Sequence, residues 1–178
     1  MLARSIPSSG EALPVIGCGT WQTFDVTASV ADRNAVGAVL DAMFEGGGSV
    51  VDTSPMYGRS EGVVGDLLAE KGRREKTFLA TKVWTHGREP GIAQMVQSIG
   101  LLKTHPIDLM QIHNLVDWKI HLPVLREWKA QGRIRYIGIT HYHARAHEDL
   151  EAVIRAEPLD FVQFNYALDV EPQQVVLG

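Results

Sequence analysis

The chain has 178 residues, a formal net charge of −4 and a pI near 6.0, and 45% of its residues are hydrophobic. These values are ordinary for a globular domain and give no reason to expect a nucleic-acid or membrane partner. The single cysteine, Cys18, excludes an intrachain disulfide, and the sequence shows no signal-like or membrane-spanning apolar run, so we expect a cytoplasmic protein.

The chain opens with a predicted hairpin, in which residues 8–10 (Ser-Ser-Gly) form a turn between two short arms. Beyond it, apolar runs and helical patterns alternate with a period of roughly thirty residues, which is typical of βα units. Six of the apolar runs are predicted to be strands: 15–19, 49–52, 77–83, 107–113, 134–140 and 159–167. Because these runs are almost continuously apolar, they indicate parallel strands that are covered on both faces.

Helices are predicted between the strands from apolar residues at helical spacing. Glycines 46–48 end the first helix, Ser60 caps the second, Pro90 opens the third and Asp117 caps the fourth. Strands and helices that alternate in this way predict either an α/β barrel or a doubly wound open sheet.

Polar side chains collect where the predicted strands end, which is where the chemistry lies in α/β barrels. In chain order these residues are Thr20, Trp21, Asp52, Lys82, His113, Asn114, Thr140, His141, Gln163 and Asn165. Their convergence on one rim predicts a site that combines an acid, a base, an imidazole and several amides.

Four residues indicate proton chemistry beside a carbonyl group, namely Asp52, Tyr57, Lys82 and His113. A lysine ammonium next to a phenol favours the phenolate and lowers its pKa, and a buried lysine needs a carboxylate partner. We therefore expect Asp52 to hold Lys82, Lys82 to lower the pKa of Tyr57, and His113 to polarise a carbonyl oxygen. Each residue alone also has a purely structural explanation, as a turn former, a rim lysine or a core histidine.

Six segments together resemble the aldo-keto reductases, in the same order and at the usual separations. The segments are VIGCGTW, VVDTSPMYGRSE, LATKVW, DLMQIHN, GRIRYIGIT and VQFNYAL. The most specific part is an aspartate followed five residues later by Tyr-Gly, then Thr-Lys, then Ile-His. The resemblance covers nearly the whole chain.

This resemblance implies a (β/α)8 TIM barrel and the NADPH-dependent reduction of a small-molecule aldehyde or ketone. It makes Tyr57 the general acid, with Asp52 and Lys82 in support and His113 orienting the carbonyl. The cofactor-binding residues that it implies are Thr20, Trp21, Asp52, Thr140 and Gln163. The sequence departs from the family pattern at His141, where members usually carry asparagine, so the carboxamide contact expected there is not carried over.

The sequence also departs from the family in length, because a complete (β/α)8 barrel needs about 250 residues. We count six βα units and therefore expect a single domain, residues 1–178, that lacks the last two units. Such a chain would lack most of the contacts that bind the cofactor phosphates, and it would self-associate through open sheet edges. The alternative is a non-catalytic truncated barrel that acts as a binding or self-associating subunit.

A second kind of site is conceivable at the three histidines His141, His143 and His147, whose spacing could in principle ligate zinc. Strong zinc motifs use tighter pairs on one helix face, so a structural role in a loop and helix is favoured. We therefore expect no metal.

Overall fold

Two sheets form the framework of the computed structural model, which describes residues 1–166. The small antiparallel sheet consists of β1 (Ala3–Ser5) and β2 (Ala12–Pro14), which is the predicted hairpin. The large sheet consists of β3 (Gly17–Gly19), β4 (Val50–Asp52), β5 (Phe78–Val83), β6 (Ile107–Ile112), β7 (Ile134–His141) and β8 (Phe161–Phe164). These six strands are parallel and lie side by side in chain order, so the predicted fold class, an incomplete (β/α)8 barrel, is confirmed. The last residue of the predicted sixth strand, Ala167, lies outside the described residues.

Five helices follow strands of the large sheet. They are α1 (Val30–Glu45), α2 (Ser60–Glu70), α3 (Arg88–Leu102), α4 (Trp118–Ala130) and α5 (His147–Ala156). No helix within residues 1–166 is long and apolar enough to cross a membrane.

Two of the predicted helix caps are wrong in detail. Ser60 is the first residue of α2 and its hydroxyl donates to the Thr20 carbonyl at 3.4 Å, so it ties the helix to the end of β3. Asp117 does precede α4, but its carboxylate accepts from the Gly87 amide at 2.8 Å instead of capping its own helix. In both cases the side chain connects neighbouring rim loops, a contact that local sequence does not reveal.

The helices cover one face of the sheet, where they bury the main apolar core. The other face carries a smaller apolar cluster at the N-terminal ends of the strands, built around Phe78, Leu109 and Tyr136. The hairpin closes this end, because Ile6 is buried in the cluster and Tyr136 Oη lies 2.6 Å from a Glu11 carboxylate oxygen. This face, the inner face of the sheet, is therefore closed at the N-terminal ends of the strands and accessible at their C-terminal ends.

Candidate active site

The inner face of the sheet changes from apolar to polar along every strand from β4 to β8. Because side chains alternate between the two faces, every second residue of a strand belongs to this surface. The series are Val50 and Asp52; Phe78, Ala80 and Lys82; Leu109 and Gln111; Tyr136, Gly138 and Thr140; Phe161 and Gln163. The parallel register places the polar members together at the C-terminal rim.

Lys82 is the centre of this polar group, and its side chain is only 2% exposed. Its Nζ donates to Asp52 Oδ2 at 2.7 Å and to the Thr53 carbonyl at 2.8 Å. The other carboxylate oxygen of Asp52 accepts from Gln111 Nε2 at 3.2 Å. The buried ammonium therefore has a counter-charge, as its desolvation requires.

Gly138 makes room for the amide that holds Asp52. A Cβ atom on Gly138 would lie 3.0 Å from Gln111 Cγ and 3.1 Å from the Phe161 carbonyl. Any larger residue would press on the Gln111 side chain, so the glycine supports the Asp52 contact from the neighbouring strand.

Tyr57 lies beside Lys82, but not as the sequence predicts. The ammonium is 5.0 Å from the centroid of the phenol ring, over its face, and no hydrogen bond joins Nζ to the hydroxyl in the described structure. Burial and the negative charge of Asp52 raise the pKa of Tyr57 to about 12. The net pKa is therefore raised and not lowered as the sequence predicts, because burial and the Asp52 charge outweigh any effect of the Lys82 ammonium, which binds Asp52 and the Thr53 carbonyl.

His113 follows β6 and is held by Ser54, whose Oγ lies 3.1 Å from His113 Nδ1. The Met56 amide donates to the same serine oxygen at 3.4 Å, which leaves the hydroxyl hydrogen for the imidazole. Burial and the charges of Lys82 and His141 lower the pKa of His113 to about 4. A neutral ring that accepts at Nδ1 carries its proton on Nε2, the nitrogen that remains for a ligand.

A pocket of about 200 Å³ lies at the rim. Tyr57, Lys82 and His113 line one part of it, and the rings of Tyr57 and His113 stand perpendicular with centroids 6.1 Å apart. Thr140 and Gln163, which are register partners on β7 and β8, line another part. The structure therefore brings three of the predicted proton-transfer residues and two of the predicted cofactor residues to one cavity, and Asp52 binds Lys82 without lining it.

The other three predicted cofactor residues, Thr20, Trp21 and Asp52, are not part of the pocket lining. Thr20 is fully buried, and its Oγ1 has no hydrogen-bond partner within residues 1–166. Trp21 is 61% exposed at the end of β3. Their cofactor role stays a prediction.

The three histidines considered for zinc point to different partners. His141 Nδ1 accepts from the backbone amide of His143 at 3.1 Å, whereas His147 Nε2 lies 3.3 Å from Asn165 Oδ1. In the part of the chain that the structure describes, no three metal-ligating side chains gather in one place.

Sequence reasoning missed three side chains that support this site, namely Ser54, Glu61 and Gln111. Gln111 carried a usable signal, because it is two residues before His113 in the predicted strand 107–113 and is therefore expected on the same face. Ser54 and Glu61 carried none, since they reach His113 and β5 only through the turn of the Tyr57 loop.

Comparison with known proteins supports a single family. A family model described as the Aldo/keto reductase family matches residues 15–176. An aldo-keto reductase of Bacillus subtilis, YhdN, is 30% identical over 179 aligned positions, and the alignment covers 92% of this chain and 53% of that protein. A methylglyoxal reductase of Escherichia coli, YeaE, is 33% identical over 147 residues, covering 79% of this chain and 50% of that protein. The chain thus spans about half the length of the curated relatives it matches.

Solved structures agree with the sequence comparison. The thermostable aldo-keto reductase Tm1743, crystallised with the inhibitor epalrestat, matches with a TM-score of 0.78 at 28% identity over 96% of this chain and 64% of that one. An aldo-keto reductase of Klebsiella pneumoniae, solved in complex with NADPH, matches with a TM-score of 0.69 at 26% identity. It aligns with 85% of this chain and 54% of its own.

Proposed function

The chain belongs to the aldo/keto reductase family, and we propose that its rim site serves the NADPH-dependent reduction of a small aldehyde or ketone to an alcohol. The observation that carries the proposal is the meeting of Tyr57, His113 and the Lys82–Asp52 pair at one pocket. A phenol, a neutral imidazole and a paired ammonium are the groups that polarise and protonate a carbonyl oxygen.

The donor set at the pocket fits the nicotinamide end of this cofactor. Thr140 offers a hydroxyl and Gln163 an amide, and the two are adjacent in register on β7 and β8. A hydroxyl and an amide suit a carboxamide, which both donates and accepts hydrogen bonds. Bound NADPH would supply a hydride to the carbonyl carbon.

Tyr57 provides the proton in this proposal. Its pKa of about 12 keeps the phenol protonated throughout the neutral range. As the substrate oxygen gains negative charge, it becomes a stronger base than the phenolate, so the O–H bond of Tyr57 breaks and the proton passes to the oxygen. The Lys82 ammonium over the ring then faces the phenolate until water returns a proton.

His113 orients the substrate. With Ser54 bound at Nδ1, the Nε2–H is free to donate to the carbonyl oxygen. The low pKa of the ring, about 4, keeps it neutral, so it acts as a hydrogen-bond donor and leaves the acid role to Tyr57.

The test compares wild type with Tyr57→Phe, which removes only the hydroxyl. Reduction of methylglyoxal, the substrate named for the Escherichia coli relative, would be followed by loss of NADPH absorbance. We expect Tyr57→Phe to lower the rate by roughly two to four powers of ten, the usual worth of a positioned acid. Tyr136→Phe, at the closed end of the inner face, is the control and should keep the wild-type rate. A Tyr57→Phe protein with full turnover would refute the proposal.

A second candidate role, self-association, rests on the edges of the large sheet. Within residues 1–166, β3 pairs only with β4 and β8 only with β7, so each leaves one row of backbone groups unpaired. We propose that the 178-residue chain forms a dimer or larger species by covering these edges. Light scattering measures the mass, and a monodisperse monomer at high micromolar concentration would contradict this role.

A further inference from the structure

The loop that carries Tyr57 is anchored at both ends on consecutive residues of β5. At its beginning, Lys82 Nζ donates to the Thr53 carbonyl at 2.8 Å. At its end, Glu61 in the first turn of α2 accepts from Thr81 Oγ1 at 2.6 Å. Thr81 and Lys82 point to opposite faces of the strand, so one tie lies on the pocket side and the other on the helix side.

Glu61 is a buried acid that the proposed reaction does not use. It is 2% exposed, and its second carboxylate oxygen accepts from Ser98 Oγ of α3 at 3.1 Å. A carboxylate that is buried between a strand and two helices costs free energy unless donors and a counter-charge compensate for it. The two hydroxyls are such donors, and Lys82 is the buried cation on the adjacent residue of β5.

We propose that Glu61 is a positioning residue that fixes the end of the Tyr57 loop on β5 and supplies a second negative charge to Lys82. This inference rests on the proposed function of the rim site. A residue of the helix layer thereby acts on the charge of Lys82 at the pocket, although Glu61 is on the far side of the strand from the substrate.

The charges around Lys82 make the proposal measurable. The ionisable groups on the pocket side of Lys82 are Asp52 on β4, Tyr57 in the loop and His113 after β6, and Glu61 of α2 lies behind the strand. Burial lowers the pKa of Lys82, while Asp52 and Glu61 both act to raise it. Burial raises the pKa of Glu61, and Thr81, Ser98 and Lys82 oppose that effect.

The test titrates Lys82 directly by NMR of its ¹³Cε signal, assigned by its loss in Lys82→Arg, so it needs no turnover. Glu61→Gln keeps the shape of the side chain but removes the charge; its amide oxygen can accept from one of the two hydroxyls and its NH2 group can donate to the other. We expect the titration midpoint of Lys82 to fall by on the order of one pH unit, as when an opposite charge is lost nearby. An unchanged midpoint would overturn the proposal, whatever the fate of the proposed reaction.

Glu70→Gln is the matched control, because it makes the same change nine residues further along the same helix, about 14 Å away at 1.5 Å per residue. It should leave the Lys82 midpoint at the wild-type value. A shift of equal size in Glu70→Gln would show a general charge effect and would also overturn the proposal.

The anchoring of the Tyr57 loop is measured separately, by the rate of backbone amide hydrogen exchange in residues 53–60. Thr81→Val removes the shorter donor to Glu61, whereas Thr81→Ser keeps it. We expect faster exchange in Thr81→Val and wild-type exchange in Thr81→Ser. Equal exchange in the two variants would remove the anchoring role, and this comparison remains available if Glu61→Gln does not fold.

Discussion

Ser54 Oγ lies 3.1 Å from His113 Nδ1, and this contact links the Tyr57 loop to the end of β6. The loop that presents the phenol thereby also determines which imidazole nitrogen carries the proton. The two groups that the proposal places on the substrate oxygen are consequently coupled through a single hydroxyl.

Ser54→Ala should remove the preference of His113 for one tautomer. Without the hydroxyl donor, the neutral ring no longer favours the Nε2–H form, and two-bond ¹H–¹⁵N NMR spectra should show a mixture of both tautomers. Any carbonyl reduction should slow by about two- to tenfold, the worth of one neutral hydrogen bond. Ser9→Ala in the hairpin is the control, and a single Nε2–H form in Ser54→Ala would contradict the assignment.

Asp52→Ala should destabilise the fold strongly, because it leaves the buried Lys82 ammonium without its counter-charge. Breaking a buried pair from one side typically costs about 3–5 kcal/mol. The double variant Asp52→Ala/Lys82→Met should lose less than the sum of the single losses, since it removes both charges. Urea unfolding gives the free energy of unfolding of Asp52→Ala, of Lys82→Met and of the double variant. The control is Glu151→Ala, which breaks the exposed pair with Arg155 and should change the free energy of unfolding by no more than about 0.5 kcal/mol. Additive losses would show that the pair is not coupled.

Stability should fall on acidification because of His113. Its pKa is near 4 in the folded chain and 6.5 in its ordinary environment, so between these values the unfolded chain binds a proton that the folded chain does not. The stabilisation is present above pH 6.5 and is lost as the pH falls towards 4, with a slope of at most about 1.4 kcal/mol per pH unit.

The measurement compares the free energy of unfolding of wild type and His113→Gln between pH 4 and 7. The difference between them should shrink as the pH falls, whereas the exposed His105→Gln should follow wild type. A pH-independent difference would mean that His113 titrates normally in the folded chain.

NADPH should bind the 178-residue chain weakly, with a dissociation constant above about 1 mM by titration calorimetry. Thr140 and Gln163 offer neutral hydrogen bonds worth about 1 kcal/mol each, while even millimolar affinity needs about 4 kcal/mol. Lys82, the cation at this pocket, is already bound by Asp52. Micromolar binding that persists in Thr140→Val/Gln163→Leu would show that groups outside the pocket hold the cofactor.

The sequence by itself was enough to predict the order of strands and helices, the parallel sheet and the hairpin. These depend on local patterns, since a buried parallel strand must be apolar throughout and a helix must repeat its apolar residues every three to four positions. It also placed Asp52, Lys82 and His113 at one rim, because strand ends converge in any parallel sheet of this topology.

Only the tertiary structure decided how those side chains meet. The sequence suggested that Lys82 would lower the pKa of Tyr57, but the ammonium binds Asp52 and the Thr53 carbonyl and lies over the phenol ring. Burial and the Asp52 charge then raise that pKa instead. Ser54 and Glu61 became visible only once the Tyr57 loop was folded, because hydrogen-bond partners and desolvation depend on distances across loops and not on spacing along the chain.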